Sequence, residues 1–144
     1  MPETDPILFE LQRLRADVDE LIRGEFASQL TLLSNILTST SYDGNDTIAV
    51  GTVTIDTSAV FGAPVGIKAV LLFVRASWAV ASGSSQLQLR QVGGGLAYDQ
   101  LTADTINAQS CNSIVKCDSN GDFDIAVANA NAINVTIRIL GYWL

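Results

Sequence analysis

Apolar residues recur along this chain with two different periods. Ile7, Leu11, Leu14, Val18 and Leu21 alternate spacings of four and three, the seam of a coiled coil with Leu11 and Val18 at one core position and Ile7, Leu14 and Leu21 at the other. Asp5 followed by Pro6 reads as the start of that helix, since an aspartate caps open amide groups and a proline suits the first helical position. Glu10 and Arg15 flank the seam and are placed to pair between neighbouring helices. Beyond Gly24, Phe26, Leu30, Leu33 and Leu37 repeat a four-three-four spacing out of step with the first, which predicts a kink, a stutter or a second helix. An amphipathic helix folded back on its own domain would show a similar period. Segment 1–40 is therefore read as helical, for oligomerisation or attachment, and the polar stretch 41–46, with Asp43-Gly44 inside it, as a connector.

From position 47 to 144 the period changes to two. Ile48, Val50, Val53 and Ile55 stand among threonines, which favours strands. Lys68 to Trp78 is more continuously apolar, as in a strand buried on both sides. Ser82-Gly83-Ser84 predicts a turn, after which Leu87 and Leu89 alternate with Gln86, Gln88 and Arg90. Asn120-Gly121 between two apolar runs predicts a hairpin, because both residues tolerate positive φ. Ile133, Val135, Ile137 and Ile139 make the cleanest alternation, and the Ala97 to Ser113 stretch is too weakly patterned to assign. Six to eight short strands with no helix between them predict a mainly β fold, an antiparallel β-sandwich or jelly roll carrying an N-terminal α-helical, coiled-coil stalk.

Composition sharpens this picture. Apolar residues make up 48% of the chain and charged residues only 16%, against roughly 25% in ordinary soluble proteins, so a subunit interface is expected to cover the surplus. A net charge of −7 repels phosphate backbones, and nucleic-acid binding is not expected. The longest apolar stretch, Ala69 to Ala81, is broken by Arg75 and Ser77 and falls short of the roughly 20 residues of a membrane helix, so no membrane partner is expected. The acidic opening Met-Pro-Glu-Thr-Asp-Pro lacks the features of a secretory signal, which places synthesis in a cytoplasm and leaves Cys111 and Cys117 as free thiols.

Candidate chemistry is sparse. With no histidine in the sequence, the commonest general base and a Cys-His pair are both missing. Asp99, Asp104, Asp122 and Asp124 fall in or beside predicted turns, where solvated carboxylates are ordinary. Asp118, Asn120, Asp122 and Asp124 alternate at calcium-like spacing, but the glycine stands fourth where a calcium loop has it sixth, and a plain turn is preferred. Gly93 to Gly95 lacks the lysine of a phosphate-binding loop. Trp78, Tyr98, Tyr142 and Trp143 are weighed as a sugar platform and preferred as core and contact residues. No catalytic, cofactor-binding or metal-ligating residue is assigned, and no enzyme is expected.

A short helix, a polar connector and a β-domain closing on Thr136-Ile-Arg-Ile-Leu-Gly-Tyr-Trp-Leu144 resemble bacteriophage virion proteins of the tail-fibre tip, head-fibre and capsid-decoration kind. The strand Lys68-Ala-Val-Leu-Leu-Phe-Val-Arg75 resembles the central strand of fibre-tip domains, and the layout is also similar to the trimeric jelly rolls of tumour necrosis factor-like modules. The resemblance implies a homotrimer in the virion, in contact with capsid, tail or baseplate proteins, with Ile7, Leu11, Leu14, Val18, Leu21, Phe26, Leu30, Leu33 and Leu37 as the oligomerising residues. The alternative is a receptor-binding or lectin-like module in which the Gly93 to Asp104 and Asp118 to Asp124 loops contact a host surface glycan.

Overall fold

In the computed structural model the described residues are 6–26, 30–94, 97–103 and 108–144, with side chains described except at 18–26. Helix α1 (Pro6–Phe26) opens at the proline, where a missing N–H has no helical partner to lose. Among the described residues eight strands follow: β1 (Thr31–Leu37), β2 (Gly51–Asp56), β3 (Ala69–Ser77), β4 (Ser82–Gln91), β5 (Asp99–Ala103), β6 (Ala108–Lys116), β7 (Asp122–Ala128) and β8 (Asn134–Trp143). They form two antiparallel four-stranded sheets, ordered β1-β8-β3-β6 and β2-β7-β4-β5. Successive strands from β1 to β4 alternate between the sheets, and the pattern is mirrored from β5 to β8, so the sandwich is a jelly roll.

Alternation builds the core. Val70, Leu72, Val74 and Ala76 of β3 and Val135, Ile137 and Ile139 of β8 point inward and are fully buried. They meet Leu87, Leu89, Phe123, Ile125 and Ile55 from the second sheet. A fully buried Leu or Ile contributes about 1.5–3 kcal/mol, so this interior dominates stability.

Five expectations are corrected. The helical segment does not reach position 40: residues 31–37 are strand β1, and Leu33 and Leu37 pack against the sandwich core while Leu30 is 37% exposed. A spacing of four residues matches two strand periods as well as one helical turn, so Leu33 and Leu37 share a face in either conformation. The stretch 41–46 does not stand outside the domain either. Tyr42, in the 3₁₀ turn Thr40–Tyr42, is buried and stacks on Phe61 with ring centroids 6.1 Å apart, and Asp43 bridges to Thr136. The β-domain therefore begins at β1.

Asn120-Gly121 does not close a hairpin, because β6 and β7 lie in different sheets. It turns a corner instead, with Asp118 Oδ1 accepting from the Asn120 and Asp122 N–H groups at 2.9 Å each. Gly121 has φ +84°, and a Cβ there would come within 3.3 Å of the Ile67 nitrogen. Ser82 to Ser84 belong to β4, which loses register between Ser82 and Gln86, rather than to a turn. A helix does interrupt the strands: α2 (Thr57–Phe61) is capped by Asp56, whose carboxylate accepts from Ser58 and Ala59, and ends on Gly62 at φ +70°. Those bonds, from the Ala59 N–H first and the Ser58 hydroxyl next, hold the Asp56 carboxyl below its ordinary value.

Candidate assembly surfaces

Helix α1 is amphipathic, and every residue from Pro6 to Asp17 is exposed. Of the expected seam, Ile7, Leu11 and Leu14 are 72%, 58% and 57% exposed, and Leu8 and Phe9 extend the apolar surface at the helix start. The side chains of Val18, Leu21 and Phe26 lie outside the described residues. Glu10 pairs within the helix, to Arg13 at 3.8 Å, and this is the one ion pair among the described residues. It is an exposed i,i+3 contact of the kind that adds a few tenths of a kcal/mol.

The strands present two further surfaces. On the outer face of the second sheet, pairing aligns Thr54, Asp124 and Arg90 in one row and Thr52, Ala126, Gln88 and Gln100 in the next. Most of the polar groups here bond one another. Gln88 donates to Gln100 at 2.7 Å, Gln100 donates to Thr102 at 3.1 Å, and the Arg90 guanidinium donates to Gln88. Asp124, 4% exposed, accepts from the Thr54 hydroxyl at 2.6 Å and from the Gly93 N–H at 3.3 Å.

On the outer face of the first sheet one row crosses all four strands: Leu32, Gly141, Leu71 and Ile114. Leu32 and Ile114 are 68% and 56% exposed, while Leu71 and its neighbour Phe73 are half-buried. Gly141 is required there, since a Cβ would stand 2.8 Å from the Thr31 carbonyl oxygen and 3.0 Å from Leu30 Cδ1. The flanking rows place Arg138 beside Phe73, with the guanidinium 5.6 Å from the ring centroid, and Lys116 and Trp143 on either side of Ala69. None of these outward residues of the first sheet belongs to the expected oligomerising set. Their signal was the continuous apolar run from Lys68 to Trp78, which reads as burial on both sides although the outward half of β3 is only half-covered.

Candidate chemistry gathers less. Cys111 and Cys117 are free, and burial, followed by nearby Asp99 and Asp118 respectively, pushes their thiols up to about 11 and about 12. Both stay protonated at neutral pH, which is unlike an activated nucleophile. Cys111 lines a surface hollow of about 490 Å³ with Arg75, Gln100 and Gln109. Asp122 is raised by burial first and then by Asp118, Asp56 and Asp124, a crowding of acids at the β6–β7 corner. Of the calcium-spaced residues, Asp118 is committed to its own turn and Asp124 to Thr54 and Gly93. The aromatic residues are dispersed: Trp78 is buried, Tyr98 is 44% exposed beside the second sheet, and Tyr142 packs on the core. Gly95 and Asp104, the latter at the end of the first candidate glycan loop, lie outside the described residues. No helix among the described residues is long and apolar enough to cross a membrane.

No family model and no curated protein matches the sequence. Among solved structures, the chain is similar to a carbohydrate-binding module (CBM6cm-2) from Cellvibrio mixtus lichenase 5A in complex with cellotriose, at 17% identity and a TM-score of 0.40, covering 76% of this chain and 98% of that one.

Proposed function

We propose that this chain is a non-enzymatic structural module of a virion, a homotrimeric fibre or decoration element in which α1 fastens copies to each other and to the particle and the jelly roll is displayed. The observation that carries the reading is the exposure of Leu11 and Leu14, 58% and 57%, on a 21-residue helix whose apolar spacing suits a coiled coil. Two such side chains left in water on each copy supply a drive for association of roughly 1.5–3 kcal/mol apiece when buried.

Light scattering of the full chain tests it. The expected mass is three times 15.3 kDa. Leu14→Asp puts a charge in the seam and is expected to release monomers whose β-domain remains folded, because Leu14 lies outside the sandwich core. A wild-type mass in Leu14→Asp overturns the stalk.

A second reading, a host-glycan module, is favoured by one observation: the Gly93 N–H donates to Asp124, so the two loops assigned to recognition meet. It predicts saturable binding of a surface oligosaccharide that Tyr98→Ala weakens, read by isothermal titration.

A further inference from the structure

We propose that the outer face of the first sheet is buried against a second copy of this chain, in a head-to-tail contact repeated around the oligomer axis. This rests on the stalk reading for what brings the copies together, and it adds the surface on which the β-domains meet.

The face is apolar at its centre, where Leu32, Leu71, Phe73 and Ile114 adjoin across the four strands. A contiguous apolar surface of this kind marks an interaction site. Its position favours another copy as occupant. Helix α1 ends at Phe26 and β1 starts at Thr31, so five peptide steps, about 18 Å at full extension, tie each helix to the edge of this sheet. Helices that associate along their seam therefore carry the first sheets of neighbouring copies to within reach of each other.

Charge decides the symmetry. The four strands of the first sheet contain no aspartate or glutamate, while Arg75, Lys116 and Arg138 project from its outer face and form no ion pair among the described residues. All fifteen Asp and Glu of the chain lie outside those strands, and of the second sheet's acids Asp56 is exposed while Asp124 is buried. Two first sheets placed face to face about a twofold axis would set cations against cations with no acid between them. Such like-charge juxtaposition is costly at an interface. A contact between the cation-rimmed apolar face of one copy and the acid-bearing surface of the next is complementary, and a heterologous contact of that kind closes into a ring of three or more.

The test uses the full chain in a dilution series followed by light scattering. Leu32→Glu combined with Ile114→Glu is expected to raise the concentration at which the oligomer dissociates at least tenfold. Folding is checked by the near-ultraviolet circular dichroism of buried Trp78, and Ile114→Gln alone, expected to shift the midpoint in the same direction, replaces the double variant if that one does not fold. Arg138→Glu is expected to weaken association. If it tightens association, the copies meet face to face and the head-to-tail contact is overturned. If the folded Glu pair, or Ile114→Gln in its place, keeps the wild-type mass at every dilution, no second copy covers the face, even where Leu14→Asp confirms the stalk. Dissociation in the sheet variants together with a wild-type mass in Leu14→Asp would retain the sheet contact and remove the stalk.

Discussion

On the second sheet the outward groups are Thr52, Thr54, Asp124, Gln88, Arg90 and Gln100, and they are bonded mostly to one another. On the first sheet the equivalent positions hold Leu32, Leu71, Phe73 and Ile114, ringed by cations with no anion among them. Both sheets cover the same core from opposite sides, so stability of the isolated domain does not explain the difference. A polar face whose hydrogen bonds close internally gains little from a partner, whereas an apolar face with unanswered charge has something to gain on both counts. Under the proposed contact, the contrast separates a surface finished by folding from one that a second copy would finish.

The largest effect that would sharpen this contrast is on the finished side. Asp124→Ala removes the acceptor of two hydrogen bonds at a site 4% exposed, and is expected to cost about 2–3 kcal/mol in urea unfolding, since bonds to a charged group are worth about 1.5–3 kcal/mol. A cost below 0.5 kcal/mol would show that the second face is not held by its own network. On the other face, Phe73→Ala loses a half-buried ring and the Arg138 contact, and about 1 kcal/mol is expected in the monomeric Leu14→Asp background, with a larger loss in the oligomer. Equal losses in both backgrounds would break the comparison.

A smaller, pH-dependent effect belongs to the edge of the first sheet. The Cys117 thiol is raised from the ordinary 9.0 to about 12, so the native state holds that proton more tightly than the unfolded chain does. Its contribution is complete below pH 9 and is lost as the pH climbs through about 12. Thermal unfolding between pH 8 and 11 is expected to fall more steeply in the wild type than in Cys117→Ala, and parallel curves would refute the assignment. The smallest effect is expected for Gln88→Ala, within about 0.5 kcal/mol, as for surface positions generally.

Much of this architecture was legible in the residues. The run Ile133 to Ile139 alternates without exception, and β8 buries Val135, Ile137 and Ile139 while Thr136 and Arg138 face outward. Strand β1 was misread because leucines four apart satisfy a helix and a strand equally, and only its pairing with β8 decides between them. Asn120-Gly121 signalled reversal correctly, but a dipeptide carries no information about whether the next strand joins the same sheet. Helix α2 is five residues long, too short to show a period, although Asp56 and Gly62 mark its ends. Of the exposed apolar positions, the spacing picked out Leu11 and Leu14, and the row from Leu32 to Ile114 was hidden because its members come from strands far apart in sequence.

The pairing of β1 with β8 bears on the order of events during synthesis. Thr31 finds its partner in Tyr142, more than a hundred positions later, so the first sheet cannot close until Tyr142 has left the ribosome. Helix α1 needs nothing so distant, as its bonds are local and it emerges before the strands. On a polysome, the proposed stalk would then let copies made from one message meet through their helices before any has a domain to display.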